Sequence, residues 1–163
     1  MIDFQRTNGF RILIARLPNF IFTSQQLNLP GINMSPAIYP NPHVKIKRPG
    51  DEVQFEPISV TFPLLEDFSN YIEIYRWMTG LGAPQNRKQF EKTIEVEETS
   101  ELKVLMLNSE EEVQMEFTFH DAFPTSLSAI PLDVSVMTQE PVQVTAQFDY
   151  TYFTINADID NTN

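Results

Sequence analysis

Apolar and polar side chains alternate with a period of two over two stretches near the end of the chain. From 113 to 120, Val113, Met115, Phe117 and Phe119 fall on one side of an extended ribbon and Gln114, Glu116, Thr118 and His120 on the other. From 142 to 152, Val142, Val144, Ala146, Phe148, Tyr150 and Tyr152 interleave with Gln143, Thr145, Gln147, Asp149 and Thr151. Successive strand side chains point to opposite faces, so both stretches predict strands buried on one face and polar on the other. The segment AFPTSLSAIPLD at 122–133 reads as a proline-punctuated connection between them.

The earlier part of the chain is broken into short elements. Phe10 to Leu17 is an apolar run that reads as a buried strand; Pro18-Asn19 marks a turn, and Phe20 to Leu29 reads as its hairpin partner, ended by Pro30-Gly31. Residues 33–51 form a long connection with Pro36, Pro40, Pro42 and Pro49-Gly50, and a short strand is expected at Val44 to Lys47. Long ordered loops in a small domain are usually functional or interactive, so this one is expected to carry contacts. In the next strand, Val53 to Leu64, the apolar positions switch from odd (Val53, Phe55) to even (Ile58, Val60, Phe62, Leu64) at Pro57. A one-residue slip would turn every side chain over, so a bulge or bend is predicted at Glu56-Pro57.

One helix is expected, Asp67 to Gly80. Asp67 or Ser69 serves as its N-cap, Phe68, Tyr71, Ile72, Tyr75 and Met78 as its apolar stripe, and Gly80, Gly82 and Pro84 as its stop. Asn70, Glu73 and Arg76 are placed in water and Trp77 at the edge of the core. After a polar stretch at 85–100, with a short strand expected near Thr93 to Val96, Leu102 to Met106 forms a second hairpin with the strand at Val113 through the turn at Asn108–Glu111.

With 163 residues, 42% of them hydrophobic, and no composition shift or repeat, the chain is one domain. The domain is expected over 1–156, with 157–163 as a flexible tail. No cysteine is present, which excludes disulfides, zinc–thiolate sites and thiol catalysis. The only two histidines are His43, between prolines, and His120, whose pairing with Asp121 reads as a strand-end hydrogen bond rather than a catalytic dyad. Phosphate-cradling glycine motifs and metal-ligand spacings are missing. No cofactor or metal is expected, and an enzyme is the least favoured class. Neither a run of about 18 apolar residues nor a signal-peptide pattern occurs, so no membrane anchor is expected. The net charge of −11 opposes binding to nucleic acid. Lys45, Lys47 and Arg48, and a second basic group at Arg87, Lys88 and Lys92, read either as solvated loop charge or as contacts to an acidic neighbour.

The order of elements is strand, strand, long loop, strand, helix and further strands. Over residues 9–153 that order and its wording resemble the tail-tube proteins of contractile-tailed bacteriophages. Three anchors carry the resemblance: Phe10 to Leu29 with Pro30-Gly31; Arg48-Pro49-Gly50-Asp51 feeding the 53–64 strand and the helix; and Ala122-Phe123-Pro124-Thr125 through Leu132-Asp133 to the strand ending at Tyr152. The helix segment, DFSNYIEIYRWMTGLGAP, is closer to baseplate-associated or tube-end relatives than to the repeating tube subunit.

The resemblance implies a mainly β fold with one flanking helix, a small antiparallel β-barrel or sandwich. It further implies homo-oligomeric rings, usually hexamers, that meet adjacent tail rings or baseplate and sheath proteins. Such rings assemble in the host cytoplasm, reside in the virion tail, and enclose a lumen through which DNA passes without specific binding. On this basis Tyr39, Pro40, Asn41, Lys45, Lys47 and Arg48 are expected at inter-subunit or inter-ring contacts, and Glu116, Gln143, Gln147 and Asp149 on the lumen wall. The inner tube of a secretion or contractile injection system is a second reading that the sequence does not separate from the first. A ligand-binding β-barrel, its cavity lined by some of the thirteen Phe, is a third.

Overall fold

The computed structural model describes residues 9–17, 25–39, 44, 46–50, 52–82, 98–108, 110–132 and 141–157. These form eleven strands and one helix: β1 (Phe10–Ile14), β2 (Gln26–Asn28), β3 (Ile32–Met34), β4 (Ala37–Tyr39), β5 (Ile46–Arg48), β6 (Val53–Phe55), β7 (Ile58–Pro63), α1 (Ser69–Gly82), β8 (Ser100–Leu107), β9 (Val113–Leu127), β10 (Gln143–Asp149) and β11 (Tyr152–Ala157). All pairings are antiparallel. The fold is therefore mainly β with one helix, arranged as a sandwich rather than a closed barrel.

β9 is the hinge of the sandwich. Its first half pairs with β8 on one side and β11 on the other, and β1 extends that sheet beyond β8. Its second half pairs with β10, which continues through β7 to β2. The crease falls at Asp121, which adopts φ 57°, opposite a Thr151 amide that donates to the His120 carbonyl at 3.0 Å. The left-handed residue shifts the phase of the ribbon: Phe119 points inward before it, Ala122 and Pro124 after it. So 121–127 is strand, not connection, and His120 lies inside β9 rather than at a strand end. Pro124 is accommodated beside a bulge, where Gln147 faces Ser126 and Phe148 faces Pro124. The matching break at Tyr150 divides the expected 142–152 strand into β10 and β11.

Between the sheets, Ile12, Ile14, Ile58, Val60, Phe62, Leu102, Val104, Phe119, Val144, Ala146 and Phe148 are buried. Each contributes roughly 1.5–3 kcal/mol if it is a Val, Leu, Ile or Phe removed fully from water. The alternation in β7 and β10 is the sequence pattern made physical. The expected first hairpin is not: β1 and β2 occupy opposite ends of the strand order, because apolar runs state which residues are buried but not which strand they meet.

The helix starts two residues later than expected. Asp67 accepts hydrogen bonds from the Ser69 amide (3.1 Å) and hydroxyl (2.9 Å), which hold its carboxyl below the usual range. Asn70, Ile74 and Trp77 are the buried row, whereas Phe68 and Tyr75 are exposed. Asn70 is thus a core residue, not a solvated one. Its side-chain amide donates to the Pro63 carbonyl at 2.9 Å and its oxygen accepts the Tyr71 amide at 3.0 Å, clamping the helix to the end of β7. Trp77 is fully in the core; its indole N–H donates to the Glu98 carbonyl at 3.1 Å and its ring lies 6.3 Å from that of Phe148. Asn70→Ala strands buried backbone groups and is expected to cost about 1–3 kcal/mol. For a chain of this size that lowers the thermal midpoint by roughly 2–4 °C per kcal/mol, measurable by calorimetry.

Candidate assembly interface

The long connection is a β-hairpin arm. β3 pairs with β6, matching Ile32 with Phe55, Asn33 with Gln54 and Met34 with Val53. β4 pairs with β5, matching Ala37 with Arg48, Ile38 with Lys47 and Tyr39 with Ile46. The two ladders are separated at Ser35-Pro36 on one strand and Pro49-Gly50 on the other. There the Gly50 backbone runs so close to the Ser35 carbonyl that any added Cβ would collide with it. The break expected at Glu56-Pro57 is where the arm hands over to the body: Val53 and Phe55 belong to the arm, Ile58 onward to the core.

Every residue of the four arm strands is exposed. Directly opposed residues share a face, so Ile32, Phe55, Met34 and Val53 form one apolar face with Asn33 and Gln54 behind it. Ile32, Met34, Ile38 and Tyr39 are each more than half exposed. An isolated two-stranded ribbon is marginal in water, and a contiguous apolar surface on a soluble domain marks a contact site. The arm also carries the cationic group: Arg48 lies over the Tyr39 ring at 5.1 Å on one face of the ribbon, and Lys47, paired with Ile38, is exposed on the other. Of the residues singled out from sequence, Tyr39, Lys47 and Arg48 therefore sit together on the arm, while Pro40, Asn41 and Lys45 lie outside the described residues. Ile32, Met34, Ile38, Ile46, Val53 and Phe55 were not singled out as contacts; their signal was apolar residues recurring within a proline-rich stretch.

The arm is fixed to the body at its base. Phe55 packs against the rings of Tyr150 (6.0 Å) and Phe153 (5.6 Å), and the Tyr150 hydroxyl donates to the Glu56 carbonyl at 2.9 Å. Burial, then the charges of Asp149 and Glu56, push the Tyr150 hydroxyl up to about 12. An unfolded chain releases that proton near pH 10. The stability contributed by protonated Tyr150 is therefore fully present below about pH 10 and lost as pH rises through about 12. Tyr150→Phe is expected to flatten this alkaline loss, read as the difference in denaturation midpoint between variant and parent across that window.

The two sheets present different outer faces. On the β1–β8–β9–β11 sheet, Glu116 accepts from Lys103 Nζ at 2.9 Å and from the Thr118 hydroxyl at 3.1 Å, which keeps its carboxyl low and the lysine high. On the same face His120 stacks on Tyr152 at 4.5 Å and its Nε2 shares a hydrogen bond with the Thr154 hydroxyl at 3.2 Å. The nearest carboxylate recorded for its ring is Glu101, at 3.8 Å from Nδ1, so the expected bond to Asp121 is replaced by these contacts. On the other sheet Gln143, Gln147 and Asp149 form one row along β10, flanked by Ser59, Thr61 and Thr145. The Thr61 and Thr145 hydroxyls meet at 3.0 Å and Gln143 donates to Gln25 at 3.1 Å. Among the described residues that face carries no lysine or arginine. Glu116 thus stands apart from the other three residues expected on the lumen wall.

Chemistry of other kinds finds little footing. Among the described residues no three His, Cys, Asp or Glu gather as a metal site, and no helix is long and apolar enough to cross a membrane. A hollow of about 200 Å³ at Val113, Gln114, Met115, Glu116 and Asn156 is open and smaller than a usual ligand pocket of roughly 300–1,000 Å³.

Comparison with known proteins agrees with this architecture. The chain is 25% identical over 143 residues to the tail tube terminator protein of Enterobacteria phage T4, covering 85% of this chain and 80% of that one. Its fold matches the tube-terminating cap of the anti-feeding prophage with a TM-score of 0.71 at 18% identity, over 96% of this chain and 93% of the cap protein. It also matches the sheath/tube terminator of the PVC extracellular contractile injection system with a TM-score of 0.62 at 13% identity, over 96% and 100% of the two chains. The phage tail tube protein family profile aligns with residues 13–156, from the first strand to the last, and the chain belongs to that family.

Proposed function

We propose that this structural tail protein closes into a ring, six copies as is usual in the family, at the end of a tail tube. The observation that carries the reading is the arm, whose strand residues are all exposed among the described residues. Tyr39, Pro40, Asn41, Lys45, Lys47 and Arg48 lie in the segment that would reach a neighbouring subunit or ring. Heterologous contacts of this kind generate closed rings when the rotation closes. The terminal position is supported by the terminator protein of phage T4 to which the chain is similar, with adjacent tube, sheath or baseplate proteins as its further partners. The ring would assemble in the host cytoplasm, reside in the virion tail and have no enzymatic activity.

The lumen wall is assigned to the amide and hydroxyl face bearing Gln143, Gln147 and Asp149. Duplex DNA carries one negative charge per ~1.7 Å of axis, and a wall without cations offers it nothing to hold. Glu116, already neutralised by Lys103, lies on the opposite sheet and would line a lumen only if that sheet faced inward. The test of position is to add the purified protein to polymerising tail tubes. A terminator decorates tube ends and stops growth; incorporation along the tube length would contradict this reading.

A further inference from the structure

The arm is basic on an acidic molecule. The basic part is its outer half: residues 37–48 contain Lys45, Lys47 and Arg48 and no Asp or Glu, Asp51 and Glu52 come later, just before β6 of the inner half, and the chain as a whole carries −11. Its described tip combines an aromatic, an aliphatic and two cations: Tyr39, Ile46, Lys47 and Arg48. A matching surface has the opposite charge, exposed apolar groups and a concavity.

The β8–β9 turn has all three. Asn108 builds it, accepting the amides of Glu110 and Glu112 on its side-chain oxygen, each at 2.9 Å, while Glu111 adopts φ 63°. Glu110, Glu111 and Glu112 are all exposed there, although Glu112 accepts from the Asn108 side-chain amide at 3.3 Å and Glu111 lies 3.9 Å from the Arg11 guanidinium. Directly after them Val113 is an exposed apolar residue, 43% accessible, and Ile155, opposite Phe117 and so four residues further along β9, is another, on the inner side of the first sheet. The hollow lined by Val113, Met115 and Asn156 lies at the same end. Acids, the exposed Val113 and a concavity thus meet at the turn, with Ile155 further along the same sheet, and they complement the cations, aliphatic and aromatic of the outer arm.

We infer that the arm tip of one copy docks on the β8–β9 turn of a second copy, Lys47 and Arg48 against Glu110–Glu112 and Tyr39 and Ile46 against Val113 and Ile155. This rests on the ring-forming reading above and names the surface the arm meets. Complementary charge sets register and association rate, and like charge placed opposite is strongly unfavourable.

Charge exchange tests it on the full chain. K47E/R48E is expected to lower the assembled fraction by about tenfold or more in moderate salt, and E110K/E111K/E112K to do the same. The chain carrying both sets, or an equimolar mixture of the two variants, is expected to regain assembly. Circular dichroism of each variant checks that the body remains folded. A second measurement does not depend on charge reversal being tolerated: the native chain has no cysteine, so K47C/E111C carries only the two introduced thiols, and K47C and E111C alone control for like–like pairing. Oxidation of assembled K47C/E111C is expected to give a ladder of cross-linked chains. Rings that form but give no ladder, or a turn variant that assembles normally while K47E/R48E does not, would overturn this docking site and leave the arm's role intact. Loss of rings in neither variant would overturn both.

Discussion

Deleting residues 36–48 leaves a folded monomer that no longer assembles. The deletion removes β4 and β5, whose residues are all exposed among the described residues, and leaves the β3–β6 ladder and its anchor at Phe55, Tyr150 and Phe153. Closing the gap is sterically simple, because Ser35 and Gly50 already approach within contact distance across the arm; an Asn-Gly turn joins Ser35 to Pro49. The thermal midpoint is expected to change by only a few degrees, since no buried core side chain is lost. Assembly is expected to fall below detection, because the truncated chain lacks Tyr39, Ile46, Lys47 and Arg48 together. Sedimentation velocity with parallel calorimetry separates the two effects. Rings of unchanged size would show that the arm is not the joint.

Phe148→Ala has the opposite signature: it damages the body and, through it, everything else. Phe148 is fully buried, faces Ile58 across the β10–β7 ladder and Pro124 across the bulge, and packs its ring 6.3 Å from Trp77. It therefore ties both sheets' crease to the helix. Truncating a buried Phe to Ala typically costs about 3–5 kcal/mol, through lost transfer energy and an unfilled cavity. That is a large fraction of the roughly 5–15 kcal/mol by which domains of this kind are stable. A fall in thermal midpoint of about 6–20 °C is expected, and assembly should recover on cooling if the ring geometry itself is intact. A drop of only one or two degrees would mean that the crease is not packed as described.

The core was legible in the sequence because burial imposes a period on residues close together in the chain. Ile58, Val60 and Phe62, and Val144, Ala146 and Phe148, alternate in the sequence and are buried as that alternation requires. Pro57 marked a true discontinuity, although it separates an arm from a body rather than two halves of one strand. Partnership between strands left no such trace: the adjacent segments at 10–17 and 20–29 look like a hairpin, yet β1 pairs with β8 and β2 with β7. Asn70, Ile74 and Trp77 are the buried row of the helix, not the stripe of Phe68, Tyr71, Ile72, Tyr75 and Met78 that the apolar spacing predicts. Asn70 decided against it, because its amide finds backbone partners only in the interior. Prolines misled twice. Pro36 and Pro49 suggested a loop where the chain forms two short paired ladders, since both prolines sit at the break between the ladders and remove no ladder hydrogen bond. Pro124 suggested a connection where β9 continues through a bulge. The proposed contact residues were only partly legible: charge drew attention to Lys47 and Arg48, but Ile32, Met34 and Ile38 resemble core residues until the fold places them in exposed strands.

The interpretation stands on one physical claim, that copies of this chain cover each other's arms and so close a ring around an open lumen. Light scattering on the full chain over a range of concentrations, with negative-stain images of the same fractions, measures that directly. The expected result is a discrete species of about six times 18.8 kDa, imaged as a ring with a central hole. A particle that stays at the 18.8 kDa of one chain at every concentration, with no rings in the images, would contradict it.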